Sequence, residues 1–203
     1  ARIMDNGQSL DTGFTPTFSN AMPSVTSITG MLLQQDGKVL VGGNFNNVSG
    51  IPKQNIVRLN AEGAVDTAFT ATASHAVTAF AEESGGRLTI GGQFTDFNGQ
   101  AFPRLVKVNG TNGATATAFS PNLNGTVSSV LIQPDGKTLV AGNLSTVGGA
   151  TRTGLAKIIF STDGSVQNLT LTGGNAVWQG IFSLPQVHRV FFEWSTDGVN
   201  YAP

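Results

Sequence analysis

Residues 31–45 read MLLQQDGKVLVGGNF, and the chain returns to this stretch twice, as FAEESGGRLTIGGQF at 80–94 and as VLIQPDGKTLVAGNL at 130–144. The last glycines of the three copies, Gly43, Gly92 and Gly142, are 49 and then 50 residues apart. A fixed period of this length is typical of repeat proteins, in which each repeat is one supersecondary unit.

A second segment recurs in every repeat. It begins at Ile56, Leu105 and Leu155, in each case 11 residues after the end of the first segment. The loop between the two segments therefore has one length, and we expect it to have one shape, fixed by Gly50, Gly99 and Gly149. Residues 1–14 resemble the second segment, which indicates that the chain starts in the middle of a repeat.

The apolar pattern within a repeat predicts strands. Short apolar runs with β-branched residues are bounded by glycines, and Asp36-Gly37 and Asp135-Gly136 are strong hairpin signals. In the first repeat we expect strands near 25–34, 38–45, 55–61 and 64–69. Four short antiparallel strands in about 50 residues are the pattern of a propeller blade. The predicted fold is all-β, a β-propeller-type array of four-stranded antiparallel blades forming a partial propeller.

The repeats predict the organisation of the chain. Propeller-like repeats cover 1–186, with a half blade at 1–24, blades at 25–73, 74–123 and 124–173, and the start of the next at 174–186. Residues 187–203 lack the glycine pair of the repeat. They form either the start of another β domain or the closing strands of a blade shared with residues 1–14.

Composition excludes several classes of protein. Charged residues make up 11% of the chain and the net charge is −1, which argues against nucleic-acid binding through bulk positive charge. The chain has no cysteine, and its two histidines, His75 and His188, share no ligand spacing. No apolar run approaches the roughly 20 residues that a membrane-spanning helix needs. Low charge with abundant glycine, serine, threonine and asparagine favours an extracellular or cell-surface protein.

The full repeat pattern resembles a known family. The run L-x-Q-x-D-G-K-x-L-V-G-G-x-F, a glycine-containing loop, and I-V-R-L-N-x-x-G-x-x-D-x-x-F together look like the delta-60 repeat, over about residues 1–170. The resemblance implies a β-propeller-like module of large exported bacterial surface proteins, and it implies no catalytic residues. The second copy departs from the pattern, because residues 82–86 read EESGG in place of the usual turn.

One position of the repeat carries a cation each time. These residues are Arg2, Arg58, Lys107 and Lys157. In a propeller they form a partial ring, and one hypothesis is that the ring binds an anion. The alternative is that the cations pair with nearby acids such as Asp11 and Asp66, or are simply solvated.

Aromatic residues near the carboxyl end are candidate ligand contacts. Trp178, Trp194 and Tyr201 could stack on sugar rings, although aromatic residues on strands more commonly fill a core or an interface. No catalytic motif is present, so we predict no catalytic, cofactor-binding or metal-binding residues and no cofactor.

Two structural expectations follow from the repeats. Gly42-Gly43, Gly91-Gly92 and Ala141-Gly142 should occupy equivalent places in adjacent sheets, where strands crowd. The bulky residues at two repeat positions should fill the space between sheets. They are Phe45, Phe94, Leu144, Phe14, Phe69 and Phe119.

The function predicted first is a non-enzymatic extracellular or cell-surface module for adhesion, assembly or protein–protein contact. The alternatives are a carbohydrate-binding propeller and an accessory module of a secreted hydrolase. The predicted partner is a protein or a glycan at a surface, with no nucleic acid and no membrane insertion. Because an open arc of blades exposes apolar faces, we also expect the chain to be part of a longer polypeptide or to pack against another subunit.

Overall fold

The computed structural model describes residues 11–20, 26–83, 85–116, 121–134, 136–159, 167–172 and 175–180, the last two ranges by their backbone. All the secondary-structure elements in these ranges are β-strands, so the predicted all-β class is confirmed. Three antiparallel sheets of three strands each carry the repeats, and in each the second strand lies in the middle. We call these sheets blade 1, blade 2 and blade 3.

Each blade takes its strands from one repeat. Blade 1 consists of β2 (Ser27–Leu33), β3 (Val39–Asn44) and β6 (Ile56–Leu59). Blade 2 consists of β7 (Val77–Glu82), β8 (Arg87–Gly92) and β11 (Leu105–Asn109). Blade 3 consists of β12 (Val127–Ile132), β13 (Thr138–Gly142) and β16 (Leu155–Ile158). The period of the sequence is therefore the period of the sheets.

The predicted fourth strand is present only as a single bridge. Val65 bridges Leu59 in the first repeat, and Thr115 bridges Val108 in the second. In the first repeat a local turn follows this bridge, in which the carboxylate of Asp66 accepts a hydrogen bond from the amide of Ala68 (3.0 Å). The four-stranded blade is thus shown in part, as three strands and one bridge.

A small hairpin lies between the second and third strands of each blade. These hairpins pair β4 (Asn47–Val48) with β5 (Ile51–Pro52), β9 (Asp96–Phe97) with β10 (Gln100–Ala101), and β14 (Thr146–Val147) with β15 (Ala150–Thr151). β1 (Phe18–Ser19) adds to the first of them. Gly50, Gly99 and Gly149 have φ values of 84°, 72° and 79°, which glycine adopts without steric cost. The expectation of one loop shape is confirmed.

The glycine pairs lie at equivalent places in the blades, as expected. Gly42 pairs with Gly30 and Ile56, Gly91 pairs with Ala79 and Leu105, and Ala141 pairs with Ser129 and Leu155. The first strand of each blade has a β-bulge one residue before the residue that pairs with Gly42, Gly91 or Ala141. The bulge residues are Thr29, Thr78 and Ser128. This bulge brings a carbonyl so close to Gly43, Gly92 and Gly142 that a Cβ there would lie within 2.4 Å of it.

The blades pack face to face through apolar side chains. Leu40 and Ile56 of blade 1 share a cluster with Leu88, Ile90 and Phe94 of the second repeat. A second cluster joins the second repeat to the third, and it contains Leu105 and Val127. Of the residues expected to fill these spaces, the structure buries Phe69, Phe94 and Leu144 in the clusters that two repeats share, and does not describe Phe119. Phe45 is buried in a separate cluster of the first repeat, against which the half-buried Phe14 packs.

Gly42 should be sensitive to a single added methyl group. A Cβ there would lie 2.6 Å from the carbonyl oxygen of Val77 in blade 2, so the backbones of two blades would have to separate. We expect Gly42→Ala to lower the free energy of unfolding by about 1–3 kcal/mol, measured by urea denaturation. The converse change Ala141→Gly serves as the control and should cost about 1 kcal/mol or less. Equal effects of the two substitutions would contradict this account.

The described residues after blade 3 form one further hairpin. β17 (Gln167–Thr172) pairs antiparallel with β18 (Asn175–Gly180). β18 lies in the range 174–186, where we predict the start of the next blade. The division of the chain at 24, 73, 123, 173 and 186 stays a prediction, and residues 187–203 lie outside the described part. Within that part, no helix is long and apolar enough to cross a membrane.

Candidate functional site

The repeated cations lie on the third strands of the blades. Arg58 is on β6, Lys107 on β11 and Lys157 on β16, whereas Arg2 lies outside the described residues. Arg58 and Lys107 are buried, and Lys157 is exposed. Because a buried charge is costly unless it is paired, the partners of the first two decide what this position does.

The guanidinium of Arg58 donates hydrogen bonds to groups within the protein. Its Nε donates to Oδ2 of Asp66 at 2.9 Å, and its two terminal nitrogens donate to the carbonyls of Gly110 and Thr111 in the second repeat. Its guanidinium also lies 4.8 Å from the ring centre of Phe69. Arg58 therefore connects the first repeat to the second, and the structure contains the Arg58–Asp66 ion pair that was one of the two alternatives for this residue.

Asp66 is held in its charged form by its neighbours. Lys38 Nζ lies 3.0 Å from the same Oδ2 that Arg58 contacts. Burial of Asp66 favours the neutral form, but the hydrogen bonds from Lys38 and Ala68 and the charge of Arg58 outweigh it and lower the pKa of the carboxyl. The pKa of Lys53 is lowered by burial, which the charge of Asp66 offsets only in part.

Lowering the pH should reveal the contribution of the Asp66 carboxylate to the free energy of unfolding. Because folding lowers the pKa of Asp66, the unfolded chain binds the proton more readily, and the stability that Asp66 contributes rises with pH. That contribution is complete above the unfolded pKa, about 3.9, and is lost as the pH falls through the lower folded value. We expect the free energy of unfolding to fall on acidification, and less so in Asp66→Asn. Glu62→Gln makes the same kind of change at an exposed turn residue and is measured beside it as the matched control. Parallel curves for Asp66→Asn and wild type would contradict the assignment.

The second repeat supplies its acid from a different position. Lys107 Nζ lies 2.9 Å from Oε1 of Glu83, whose other oxygen lies 3.3 Å from Arg87. The Thr89 hydroxyl donates to Glu83 as well, at 2.5 Å. Glu83 is buried, so the cation and the acid again neutralise each other away from water.

Backbone hydrogen bonds show that the acid has changed place. The amide of Asp66 donates to the carbonyl of Arg58, and the equivalent amide in the second repeat, that of Ala116, donates to Lys107, both at 2.9 Å. Glu83 in turn occupies the position of Gln34, since their amides donate to Arg87 and Lys38 at 2.8 Å. Repeat 1 thus has Gln and Asp at these two positions, and repeat 2 has Glu and Ala.

The third repeat has an acid at neither position. Gln133 replaces the first, and Gln167 follows Gly164 at the same distance as Asp66 follows Gly63. The Gln133 Oε1 atom is buried without a hydrogen-bond partner. Lys157, in the place of Arg58 and Lys107, is exposed on blade 3.

A polar cavity lies between the first two repeats, beside Arg58. Its volume is about 230 Å³, and its lining includes Gln34, Lys38, Arg58 and Glu82. Gln34 Nε2 donates to Glu82 Oε1 at 3.3 Å, while Gln34 Oε1 is buried without a partner. Across the described ranges, no three His, Cys, Asp or Glu side chains are grouped so that they could hold a metal ion.

The aromatic candidates are not brought together by the described part of the chain. Trp178 is on β18 and pairs across the hairpin with Leu169. Trp194 and Tyr201 lie outside the described residues. Their role as ligand contacts stays a prediction.

The strands and their repeated three-stranded sheets define the class: an all-β protein built from β-propeller-like repeats. A family model described as a domain of unknown function (DUF5122) beta-propeller matches residues 34–69 and 133–166. These segments are the first and third repeats, and the unmatched second repeat is the one whose acid has moved. No curated protein matches the chain. The more specific resemblance to the delta-60 repeat stays a prediction.

Proposed function

We propose that this chain is a non-enzymatic repeat module of an extracellular or cell-surface protein, and that it works by protein–protein contact. The observation that carries the proposal is the apolar face of blade 3 that points away from blade 2. We call this surface the trailing face of blade 3 and define it by Ser128, Leu131, Leu155 and Lys157. The preceding blades bury the same surface against their neighbours.

Equivalent leucine and isoleucine residues show the difference directly. Ile56 of blade 1 and Leu105 of blade 2 are fully buried by the blade that follows, whereas the side chain of Leu155 is 60% exposed. Leu131 is 53% exposed, and its counterpart in blade 2, Ala81, is buried. Contiguous exposed apolar surface of this kind marks interaction sites. The trailing face therefore supports a role in contact with another protein.

The charged residues support a structural role more than a catalytic one. Asp66 and Glu83 are engaged by cations on the same repeat, and Arg58 is engaged by carbonyls of the next repeat. A general acid or base needs a group that can reach substrate, and these groups are committed to packing. Their arrangement stabilises the stack of blades.

Carbohydrate binding is the second candidate, because of the cavity beside Arg58. The unpartnered Oε1 of Gln34 would accept a hydrogen bond from a sugar hydroxyl, and Lys38 and Glu82 line the same space. In this alternative Trp178, Trp194 and Tyr201 would supply stacking surfaces. The two candidates differ in whether a free glycan binds the isolated chain.

Two measurements test the proposal. Antibodies against the chain should label intact cells of the source, because the module is exposed at the surface, and labelling only after lysis would overturn that part. A glycan array should show no binding above background. Binding that Gln34→Ala abolishes would favour the carbohydrate alternative instead. Gln54→Ala, a change of the same kind outside the cavity lining, is the matched control.

A further inference from the structure

We propose that two copies of this chain join head to tail, with the trailing face of blade 3 in one copy against the opposite face of blade 1 in the next. The inference rests on the proposed role in protein–protein contact and names the partner as a second copy of the chain. The contact repeats the two blade interfaces that the structure already contains.

Those internal interfaces follow one pattern. In each, the first strand of the following blade lies over the crowded glycine of the blade before it. A Cβ on Gly42 would lie 2.8 Å from Val77 Cγ1, and a Cβ on Gly91 would lie 2.5 Å from Val127 Cγ1. The following blade therefore presents the side chain that begins its first strand.

A hydroxyl hydrogen bond repeats across the same interfaces. Thr29 of blade 1 donates to the carbonyl of Val77 in blade 2 at 2.7 Å. Thr78 of blade 2 donates to the carbonyl of Val127 in blade 3. In both cases the donor is the bulge residue of one blade and the acceptor begins the next. Ser128 is the bulge residue of blade 3, so it carries the same donor on the trailing face.

Blade 1 exposes the surface that these contacts would need. We call this surface the leading face of blade 1 and define it by Ile28, Met31 and Leu33. Ile28 is 41% exposed, whereas its counterparts Val77 and Val127 are fully buried by the preceding blade. Met31 is 70% exposed and Leu33 is 69% exposed. The leading face is thus the missing half of the interface that the trailing face of blade 3 begins.

The two faces match in register. If a second copy continues the pattern, Ser128 donates to the carbonyl of Ile28, and Leu131 and Leu155 cover Ile28 and Met31. Lys157 stands where Arg58 stands in blade 1, so it reaches the turn at residues 61–62, as Arg58 reaches the turn at residues 110–111. The contact joins two different surfaces, which makes it heterologous and able to extend into rings or filaments.

A second copy can cover the trailing face of blade 3, whereas none of the three described blades of the same copy can. Propellers close with four to eight blades, so blade 3 cannot turn back onto blade 1 of the same copy. Ala141 replaces the glycine of the internal interfaces, and its methyl group keeps the contact wider. We therefore expect association that is reversible and depends on concentration, and that Ala141→Gly strengthens.

Sedimentation velocity over a range of concentrations tests the proposal. The wild-type mass should rise with concentration beyond that of one chain. Met31→Glu blocks the leading face and Leu155→Glu blocks the trailing face, so each variant alone should stay monomeric, with association weakened by more than about a hundredfold. A mixture of the two should form a dimer and nothing larger, because each copy keeps the face that the other has lost.

The controls separate failure of the contact from failure of the fold or of the proposed function. Ile51→Glu changes an exposed isoleucine outside both faces and should associate as wild type does. Unchanged urea denaturation of each variant shows that it is folded. A monomeric wild type, or a Met31→Glu variant that self-associates normally, would overturn the head-to-tail contact. Surface labelling of cells with a monomeric chain would overturn this contact and leave the proposed function standing.

Discussion

Replacing Glu83 by glutamine should lower the free energy of unfolding by about 3–5 kcal/mol, measured by urea denaturation. The carboxylate neutralises Lys107 at 2.9 Å and Arg87 at 3.3 Å, and it accepts the Thr89 hydroxyl. Glutamine keeps the shape of the side chain but removes its charge, so Lys107 and Arg87 both lose the buried carboxylate that contacts them. The large cost comes from removing a buried negative charge that two cations share, rather than from the loss of one contact.

The first repeat suggests how to repair the second. There the acid is Asp66, and Ala116 occupies the equivalent place in repeat 2. Adding Ala116→Asp to the Glu83→Gln variant recreates the arrangement of repeat 1, with a glutamine at the first position and an aspartate at the second. We expect the double variant to recover more than half of the lost stability.

Glu62→Gln provides the matched control, because it makes the same chemical change at an exposed turn. It should alter the free energy of unfolding by about 0.5 kcal/mol or less. If Ala116→Asp fails to rescue Glu83→Gln while lowering stability on its own, the two positions are not interchangeable. The compensation between repeats would then be rejected.

The repeat organisation could be predicted from sequence because its causes are local. Asp36-Gly37 and the glycine after each second strand fix the turns, and the constant spacing from Phe45 to Ile56 fixes the loop. The structure then places Gly42 and Gly91 in equivalent registers, as expected. Short sequence features that recur in each repeat therefore lie at equivalent places in the blades.

The smallest elements were missed for a physical reason. The hairpin of β4 and β5 contains two residues in each strand, which is too short for a periodic pattern to be visible. The predicted strand near 64–69 has suitable residues but forms a single bridge at Val65, and the second repeat, which has Ala116 in place of Asp66, forms the same single bridge at Thr115. Residue propensity indicated a longer strand than the described residues of these two repeats form.

The change in position of the acid between the first two repeats could have been predicted from the sequence, but only by comparing two positions of the repeat at the same time. The unusual EESGG turn of the second repeat is visible as a departure, and so is the alanine in place of Asp66. Only the structure shows that both positions face one cation, since they lie on different segments of the repeat. Because these two positions are far apart along the chain, the sequence alone does not show that the acid gained at Glu83 offsets the acid lost at Ala116.

Phe94→Ala should lower the free energy of unfolding by about 3–5 kcal/mol, the usual cost of truncating a buried aromatic residue. Phe94 follows β8, is fully buried, and meets Phe97 edge to face with ring centres 5.4 Å apart. Its cluster also contains Leu40 and Ile56 of blade 1, so the cavity would open in the apolar core that the first two repeats share. Cooperative unfolding should therefore weaken between blades 1 and 2.

The third repeat supplies the control for this prediction, because it carries Leu144 where the second carries Phe94. Leu144 is buried in its own inter-blade cluster, so a leucine can fill this position in a blade. We expect Phe94→Leu to cost less than about half as much as Phe94→Ala, since leucine fills part of the space and buries most of the apolar area. Urea denaturation of both variants measures the difference. Equal losses would mean that the aromatic contact with Phe97, rather than the volume between the blades, determines the stability at this position.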